Sequence, residues 1–239
     1  MEDCYELTII VPVYNEEENL PRVETELSAY VRLSKTKSRI LFVNDGSTDN
    51  SPSLIESICS KNESFNFIHL KENKGLSTAL KAGIDQIETK FTGYIDADLQ
   101  TSPADFDILM NYANQFDLVT GVRIDRKDSP VKKLSSLIAN RIRRAVTKDG
   151  ASDTGCPLKI IRTDTAKRIP FFNGMHRFLA ALVQMVGGTV KEVPVSHSPR
   201  VAGKSKYHLW NRLFGPSVDL CAFVWMKRNY IRYEITRKG

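Results

Sequence analysis

The chain has 239 residues with a net charge of +6, and 41% of the residues are hydrophobic. This length predicts one domain, or one domain with an appendage, and the composition excludes a collagen, a repeat array and a disordered tail. The four cysteines are scattered without a Cys-x-x-Cys pair, which argues against a zinc site and a disulfide framework.

The N-terminus is acidic where a signal peptide would be basic. No run reaches the ~18 to 20 apolar residues that a membrane-spanning helix needs. We therefore expect a cytoplasmic chain without a transmembrane helix.

The positive charge is concentrated in two segments. Residues 122–148 and 196–239 each contain nine Lys or Arg against two acidic residues, so together they carry +14 and leave −8 for the rest of the chain. Regional positive charge indicates a polyanionic partner, which is a phosphate, an anionic lipid or a nucleic acid.

Strand and helix patterns alternate along the first half of the chain. The apolar, β-branched run at 7–13 predicts a strand buried on both faces, and helical spacing follows at 17–33. Three more strand–helix pairs are predicted at 40–43 and 47–58, 65–70 and 76–87, and 91–95 and 103–112, before a fifth strand at 118–122. This alternation predicts an α/β doubly wound sheet, in which ligands bind beyond the carboxyl ends of the strands.

The alternation loosens after residue 123. An amphipathic helix is predicted at 131–146, with apolar residues on one face and Lys or Arg around the remainder. The other patterns predict strands at 156–161 and 190–195, a helix at 178–186, and two C-terminal helices within 206–234 that are broken at Gly215-Pro216.

The most informative cluster is Tyr94-Ile95-Asp96-Ala97-Asp98-Leu99-Gln100, at the end of the fourth predicted strand. On an extended segment, side chains two residues apart point the same way, so Asp96, Asp98 and Gln100 would present oxygens to one side. Mg²⁺ and Mn²⁺ are bound by such oxygens together with substrate phosphates. The alternative is a solvated acidic loop that caps the helix after Pro103, but the position at a strand end favours a metal site.

Three other loops can be interpreted either as ligand-binding segments or as ordinary turns and helix caps. Pro12 and Tyr14 would offer apolar surface to a nucleotide base and a nearby Glu would bind sugar hydroxyls, whereas Asn15 with the following acids also suits a helix start. Asn44-Asp45-Gly46 is either a second nucleoside contact or a turn with its cap. Asn73-Lys74-Gly75 begins the third helix, where backbone N–H groups favour an anion, but its spacing is not that of a Walker loop.

In kind and order, these motifs resemble those of family-2 glycosyltransferases of GT-A fold. Ser152–Cys156, Gly174–Phe178 and Pro199–Tyr207 extend the resemblance to the polyprenyl-phosphate branch, which includes dolichyl-phosphate mannose synthase and undecaprenyl-phosphate sugar transferases. The resemblance covers residues 7 to 207. It implies a GT-A domain over residues 1–207, followed by an amphipathic C-terminal segment at 208–239.

The resemblance also implies roles for individual residues. Pro12, Tyr14, Glu16 and Asp45 would hold the nucleoside, while Asp96, Asp98 and Gln100 would hold a divalent metal, Mg²⁺ or Mn²⁺, and the donor diphosphate. Lys74 is a further candidate for substrate binding, and Arg200 and Lys206 would reach donor or acceptor phosphates, with a solvated basic loop as the alternative for the last two. Asp98 and Asp153 would be the catalytic residues.

Asp153 stands where the family places a carboxylate near the acceptor. A hydroxyl acceptor needs a general base, but a polyprenyl phosphate is already ionised at pH 7, so Asp153 would then orient groups or help to gather the metal complex. An ordinary Asp-Thr-Gly turn is the alternative. Pro157 and Lys159 depart from the Gly-Phe-Arg of many relatives, which puts an acceptor contact near Lys159 in doubt.

The C-terminal segment combines aromatic and basic residues, and these are Trp210, Phe214, Phe223, Trp225, Tyr230 and Tyr233 beside Lys227, Arg228 and Arg232. Such an element suits a helix on a membrane surface, and the alternative is a helix that packs on the core with a wet basic face. Many relatives append membrane-spanning helices that this chain is expected to lack. We therefore expect peripheral contact with the inner face of the cytoplasmic membrane through this segment and 131–146.

The sequence thus favours an inverting enzyme that moves a sugar from a UDP- or GDP-linked donor to a polyprenyl phosphate. A soluble family-2 transferase acting on a sugar hydroxyl of a glycan or glycolipid remains an alternative, with a carboxylate such as Asp153 as an essential base. A nucleic-acid-binding module is a third hypothesis, but no nucleic-acid motif accompanies the basic segments and the −8 remainder fits poorly.

Overall fold

The computed structural model of the chain describes residues 5–124, 141, 143–199, 209–231, 236 and 237. Its strands are β1 (Leu7–Val13), β2 (Ser38–Asn44), β3 (Phe65–His69), β4 (Phe91–Tyr94), β5 (Leu118–Arg123), β6 (Lys159–Arg162) and β7 (Val190–Val195). Its helices are α1 (Leu20–Leu33), α2 (Ser51–Lys61), α3 (Leu76–Asp85), α4 (Asp105–Ala113), α5 (Thr163–Arg168), α6 (Leu179–Met185) and α7 (Leu209–Asn229), with a 3-10 turn at Met175–Phe178.

The strands form one sheet in the order β3-β2-β1-β4-β6-β5-β7. Only β6 runs against its neighbours β4 and β5, while the other described pairs are parallel. The predicted α/β class with a mostly parallel sheet is therefore confirmed. Because β6 is reversed, its first residue, Lys159, lies at the edge where β1, β2, β4 and β5 end.

Helices cover both faces of the sheet, and each face has its own hydrophobic cluster. Alternate residues of β1 enter opposite clusters, with Ile9 and Val11 on one face and Ile10 on the other. The first cluster receives α1, α2 and α4, whereas the second receives α3, α5 and α6. A strand buried on both faces needs apolar residues at every position, which explains the continuous run predicted at 7–13.

Helix α1 illustrates how the spacing of apolar residues fixes an element. Its buried residues are Leu20, Val23, Leu27 and Tyr30, which recur at three- and four-residue steps on the face toward the sheet. Pro21 lies in the first turn, where a missing backbone N–H costs nothing, and the helix ends at Ser34, which has an extended backbone.

Three features differ from the sequence predictions. Strand β6 begins at Lys159 rather than at Cys156, and the short helix α5 had no prediction. The expected break at Gly215-Pro216 is wrong, because α7 is one helix of 21 residues. Proline removes one backbone donor but has a φ that suits a helix, and tertiary contacts of the later residues, such as buried Phe223, support its continuation.

The amphipathic helix predicted at 131–146 lies largely outside the described residues, but residues 141 and 143–147 are helical. Within the described part of the chain, no helix combines the length and apolar character required to cross a membrane.

The loop after β2 lies against the loop after β3 at Gly46. Gly46 has a φ of +65°, and a Cβ atom there would lie 2.5 Å from both the backbone N of Asn73 and the carbonyl carbon of Glu72. Neither backbone atom can move aside without displacing its loop. Glycine is thus required at this position for two independent reasons, the left-handed backbone and the close approach.

We predict that Gly46→Ala lowers the free energy of unfolding by about 1 to 3 kcal/mol more than Gly150→Ala does, because only the first substitution adds a steric clash. Gly150 is the matched control, since its φ is +72° and nothing lies within 4 Å of the added carbon. Urea unfolding followed by circular dichroism measures both losses. Equal losses would show that the two loops separate without cost.

Candidate active site

The loops that follow β1 and β2 are connected by hydrogen bonds. Asn15 has a φ of +50°, and its backbone N–H donates to the Ser47 hydroxyl at 2.9 Å while its side-chain oxygen accepts from the Thr48 N–H at 2.8 Å. The Glu16 N–H donates to the Ser51 hydroxyl at 3.0 Å. The cap-like residues of both loops therefore serve to join the loops, and this fixes the backbone beside Tyr14 and Glu16.

Asp45 connects the loop after β2 to the start of α3. Its carboxylate is buried and accepts hydrogen bonds from the Asn73 amide at 2.9 Å, the Lys74 N–H at 2.9 Å and the Gly75 N–H at 2.8 Å. An anion was expected at this helix start, and for the N–H groups of Lys74 and Gly75 that anion is the Asp45 carboxylate. The turn expected at Asn44-Asp45-Gly46 is present, since the Ser47 N–H donates to Asn44 Oδ1 at 3.1 Å, but Asp45 itself binds the start of α3. The nucleoside role of Asp45 stays a prediction.

Asp45 and Lys74 are brought together through the backbone of Lys74, while the Lys74 side chain points elsewhere. Its ammonium group lies 2.9 Å from the Glu72 carboxylate, and the side chain is 58% exposed. Pro12 and Tyr14 are half-buried, and Glu16 accepts a bond of 2.6 Å from the Asn19 amide. Of the proposed nucleoside residues, Pro12 therefore lies near the end of β1, whereas Tyr14, Glu16 and Asp45 lie on loops that the Asn15 and Asp45 bonds hold in place.

The segment after β4 is a turn rather than the extended segment that the sequence suggested. The Leu99 N–H donates to the Asp96 carbonyl at 3.1 Å, and Leu99 has a φ of +45°, which is unusual for a branched residue. The Gln100 N–H donates to Asp98 Oδ1 at 3.3 Å. The prediction that the three side chains alternate along a strand is wrong in its geometry, because β4 ends at Tyr94.

The turn still supplies the oxygens that a hard cation needs. Asp96 and Asp98 contribute carboxylates and Gln100 an amide oxygen, all from one short segment at the carboxyl edge of the sheet. Among the described residues, no group of three or more His, Cys, Asp or Glu side chains is placed to hold a metal. Two carboxylates without a full protein cage fit Mg²⁺ or Mn²⁺ sites that are completed by substrate phosphates and water.

Asp153 is bound to Arg123, the last residue of β5. The guanidinium group donates to both carboxylate oxygens at 2.7 Å, and the Arg123 backbone N–H donates to Oδ2 at 3.2 Å. Glu192 of β7 holds the same loop from the other side, since its carboxylate accepts from the Ser152 N–H and hydroxyl at 2.6 and 2.8 Å. Both carboxylate oxygens of Asp153 are thus occupied by a bidentate ion pair, which favours orientation over proton transfer.

The buried side chain of Lys159 is under the electrostatic influence of both Asp153 and Asp96. Its side chain is buried, its ammonium group donates to the Cys156 carbonyl, and it lies 5.8 Å from the centre of the Tyr94 ring. Burial lowers the pKa of Lys159, while Asp153 and Asp96 act in the opposite direction. The ammonium group is thus within electrostatic range of both carboxylates that the sequence singled out.

His176 lies beside Lys159 on the wall of a small cavity beneath the Asp153 loop. Burial lowers its pKa to about 3, so the imidazole is neutral at pH 7. Its Nδ1 atom pairs with the Ser77 hydroxyl at 3.1 Å, and the Arg177 guanidinium lies 2.9 Å from Asp219 of α7. These bonds make the Gly174–Phe178 motif a connection between α3 and α7.

Four further residues shape the site. Tyr94, Arg123 and Glu192 had no role among the sequence predictions, and Lys159 was named only as a doubtful acceptor contact. Arg123 carried a usable signal, because it directly follows the strand predicted at 118–122. Glu192 carried no such signal, and the departure at Lys159 did not reveal its partners, since the contacts of a charged residue within a strand depend on the neighbouring strands. Arg200 and Lys206 lie outside the described residues.

The chain resembles known proteins both in sequence and in structure. Residues 8–169 match the family described as glycosyl transferase family 2. Undecaprenyl-phosphate 4-deoxy-4-formamido-L-arabinose transferases of Yersinia enterocolitica and Yersinia pestis are each 31% identical to it, over 87% and 92% of this chain. The chain spans 64% and 67% of the lengths of these two relatives.

Solved structures share the fold at low sequence identity. A mannosyltransferase from Pyrobaculum calidifontis in complex with GDP-Man and Mn²⁺ is 20% identical, with a TM-score of 0.67 over 96% of this chain and 66% of that one. Glucosyl-3-phosphoglycerate synthase from Mycobacterium tuberculosis in complex with Mg²⁺ and UDP is 13% identical, with a TM-score of 0.70 over 93% of this chain and 79% of that one. The expected GT-A fold is confirmed.

The match in sequence covers more than half of the chain, and it includes the loops that carry Asp45, Asp96 and Asp98. The fold shared with the solved transferases is consistent with it. The chain therefore belongs to glycosyl transferase family 2.

Proposed function

We propose that the chain transfers a sugar, with inversion, from a UDP- or GDP-linked donor to a polyprenyl phosphate, as a step of cell-envelope glycan synthesis. The observation that carries the proposal is the turn that holds Asp96 and Asp98 at the carboxyl edge of the sheet, beside the loops organised by Asp45. A nucleoside diphosphate needs a cation at this position and fixed loops around its base and ribose.

The acceptor class is supported by the relatives, which are named undecaprenyl-phosphate transferases and match most of this chain. In the proposed reaction, an acceptor phosphate oxygen bonds to the anomeric carbon as the bond from that carbon to the donor diphosphate breaks. Attack from the opposite face inverts the configuration. The acceptor oxygen carries no proton at pH 7, so the chain needs no general base for this step.

The surroundings of each site residue suggest its role in this reaction. Asp96, Asp98 and Gln100 would hold Mg²⁺ or Mn²⁺, which would offset the charge of the leaving diphosphate. Pro12, Tyr14, Glu16 and Asp45 would form the nucleoside pocket, with Lys74 at its margin. Asp153, which is bound by Arg123, would orient groups around the acceptor rather than take a proton.

Contact with a membrane surface is proposed for the C-terminal segment, 208–239, and its clearest support is helix α7. On its inner side, Phe223 is fully buried and stacks on Phe178 with ring centres 5.5 Å apart. On its outer side, Val218 and Trp225 are 67% and 70% exposed. The helix thus packs on the core, which was the alternative to membrane contact considered from the sequence. It also presents an apolar outer face near basic Arg228, and such a face suits an anionic bilayer.

The central test is the release of nucleoside diphosphate from a panel of UDP- and GDP-sugars with Mg²⁺ or Mn²⁺, with and without undecaprenyl phosphate in detergent. We expect one donor to react only when the lipid phosphate is present. Asp98→Ala should lower kcat at least about 100-fold, because a bound metal contributes several kcal/mol to such a reaction.

Asp85→Ala is the matched control, since Asp85 is an exposed carboxylate on α3 that pairs only locally with Lys81. It should react like the unaltered chain. Full turnover by a folded Asp98→Ala protein would remove the metal role. Turnover that does not depend on the lipid phosphate but requires a glycan hydroxyl would establish a sugar hydroxyl as the acceptor.

The role of Asp153 is tested by a double-mutant cycle with Arg123. If the two residues act as one orienting pair, Asp153→Ala and Arg123→Ala lower kcat by similar factors, and the double variant loses little more. A general base would instead make Asp153→Ala worse than Arg123→Ala by about 100-fold or more. The measurement is kcat at saturating donor and lipid phosphate for all four proteins.

Membrane contact is tested by sedimentation with vesicles of phosphatidylglycerol and phosphatidylethanolamine. Trp225→Glu should weaken binding about 10-fold or more, because a large apolar side chain no longer enters the interface. Ile108→Glu is the control, since Ile108 is an exposed apolar residue of α4, 43% accessible, on a different surface. The same loss in both variants would mean that α7 has no special part in binding.

A further inference from the structure

Tyr94 is the last residue of β4 and lies two positions before Asp96. Its phenol O–H donates to Asp96 Oδ1 at 2.5 Å. The ring itself is buried and belongs to the hydrophobic cluster that β4 shares with α3 and α6. The hydroxyl therefore joins a rigid part of the core to the first carboxylate of the turn.

Lys159 acts on the same tyrosine from the neighbouring strand. The two residues are direct partners in the antiparallel pairing of β4 with β6, and the ammonium group lies 5.8 Å from the ring centre. The Lys159 side chain therefore packs beside the Tyr94 ring. This contact, together with the burial of the ring, holds the phenol in one orientation toward Asp96.

Resting on the function proposed above, we propose that Tyr94 is a positioning residue that orients the Asp96 carboxylate for the divalent cation. Asp96 lies on a turn, where the strand no longer restricts the side-chain torsions of a carboxylate. The bond to Tyr94 fixes those torsions before the cation arrives. Hydrogen bonds to metal-binding carboxylates typically change affinity or activity by about 10- to 100-fold.

Tyr94→Phe isolates this role, because it removes only the hydroxyl and leaves the buried ring against Lys159. The matched control is Tyr112→Phe. Tyr112 is a half-buried tyrosine of α4 whose ring also has a lysine above it, with Lys191 Nζ 5.5 Å from the ring centre, and it lies outside the candidate site. Both variants lose one phenol oxygen, and only one of them loses the bond to Asp96.

The experiment measures how tightly the full chain binds Mn²⁺, in the presence of UDP and, separately, of GDP. The readout is the electron paramagnetic resonance signal of the Mn²⁺ that stays free. We expect Tyr94→Phe to bind Mn²⁺ about 10-fold more weakly and Tyr112→Phe to bind it as the unaltered chain does. Binding of the same nucleotides in EDTA should be equal in all three proteins. In an Asp96→Asn background, Tyr94→Phe should cause little further loss.

Unchanged Mn²⁺ binding by Tyr94→Phe would overturn the positioning role while leaving the metal site intact. Equal losses of Mn²⁺ binding and of nucleotide binding in EDTA would also overturn it, because they would reveal a general structural defect. If the unaltered chain does not bind Mn²⁺ with either nucleotide, both the metal role and the role of Tyr94 fail together. The two failures are thus distinguishable.

Discussion

The carboxylate of Asp45 is the interaction on which the organisation of the site depends. It is buried at the end of β2, and a buried charge of this kind is tolerated only when hydrogen bonds replace its lost water. Three donors from residues 73–75 do so, and they bring the start of α3 to the edge of the sheet. Gly46 allows the two loops to approach closely, and Asn15 adds the loop after β1. The loops after β1, β2 and β3 are thereby joined to one another at the edge of the sheet.

A second electrostatic arrangement organises the other side of the site. Asp153 and Arg123 form an ion pair that is nearly sealed from solvent, and both Asp153 and Asp96 act electrostatically on the buried Lys159 side chain. Buried charges of opposite sign reduce one another's desolvation cost only when their geometry is fixed. Here the geometry is fixed by three neighbouring strands, β4, β5 and β6. The acidic and basic groups on this side of the candidate site are thus already compensated and oriented.

The sheet and the helices could be predicted from the sequence because each depends on local spacing of apolar residues, as β1 and α1 show. The reversed direction of β6 could not, since a four-residue strand carries no sign of which way it pairs. The acidic residues of the site were found because they follow strands. Their partners were not, because Lys159, Glu192 and the Tyr94 hydroxyl gain meaning only from contacts across the sheet. The continuity of α7 through Pro216 depends on packing of later residues, which local propensity does not contain.

The reversal of β6 has a consequence for how this architecture can change over evolution. Because β5 ends and β6 begins at the same edge, the chain between Arg123 and Asp153 leaves the sheet and returns to it at one place, and the ion pair between these two residues joins its ends. Closing a longer loop costs only about 0.6 kcal/mol for each doubling of its length. Changes of length between these anchors therefore cost the sheet little, provided that the packed residues near the end of the stretch, such as buried Thr147 and Asp149, are kept. Under the proposed function, such changes would alter the surroundings of the acceptor while the loops assigned to the donor keep their places.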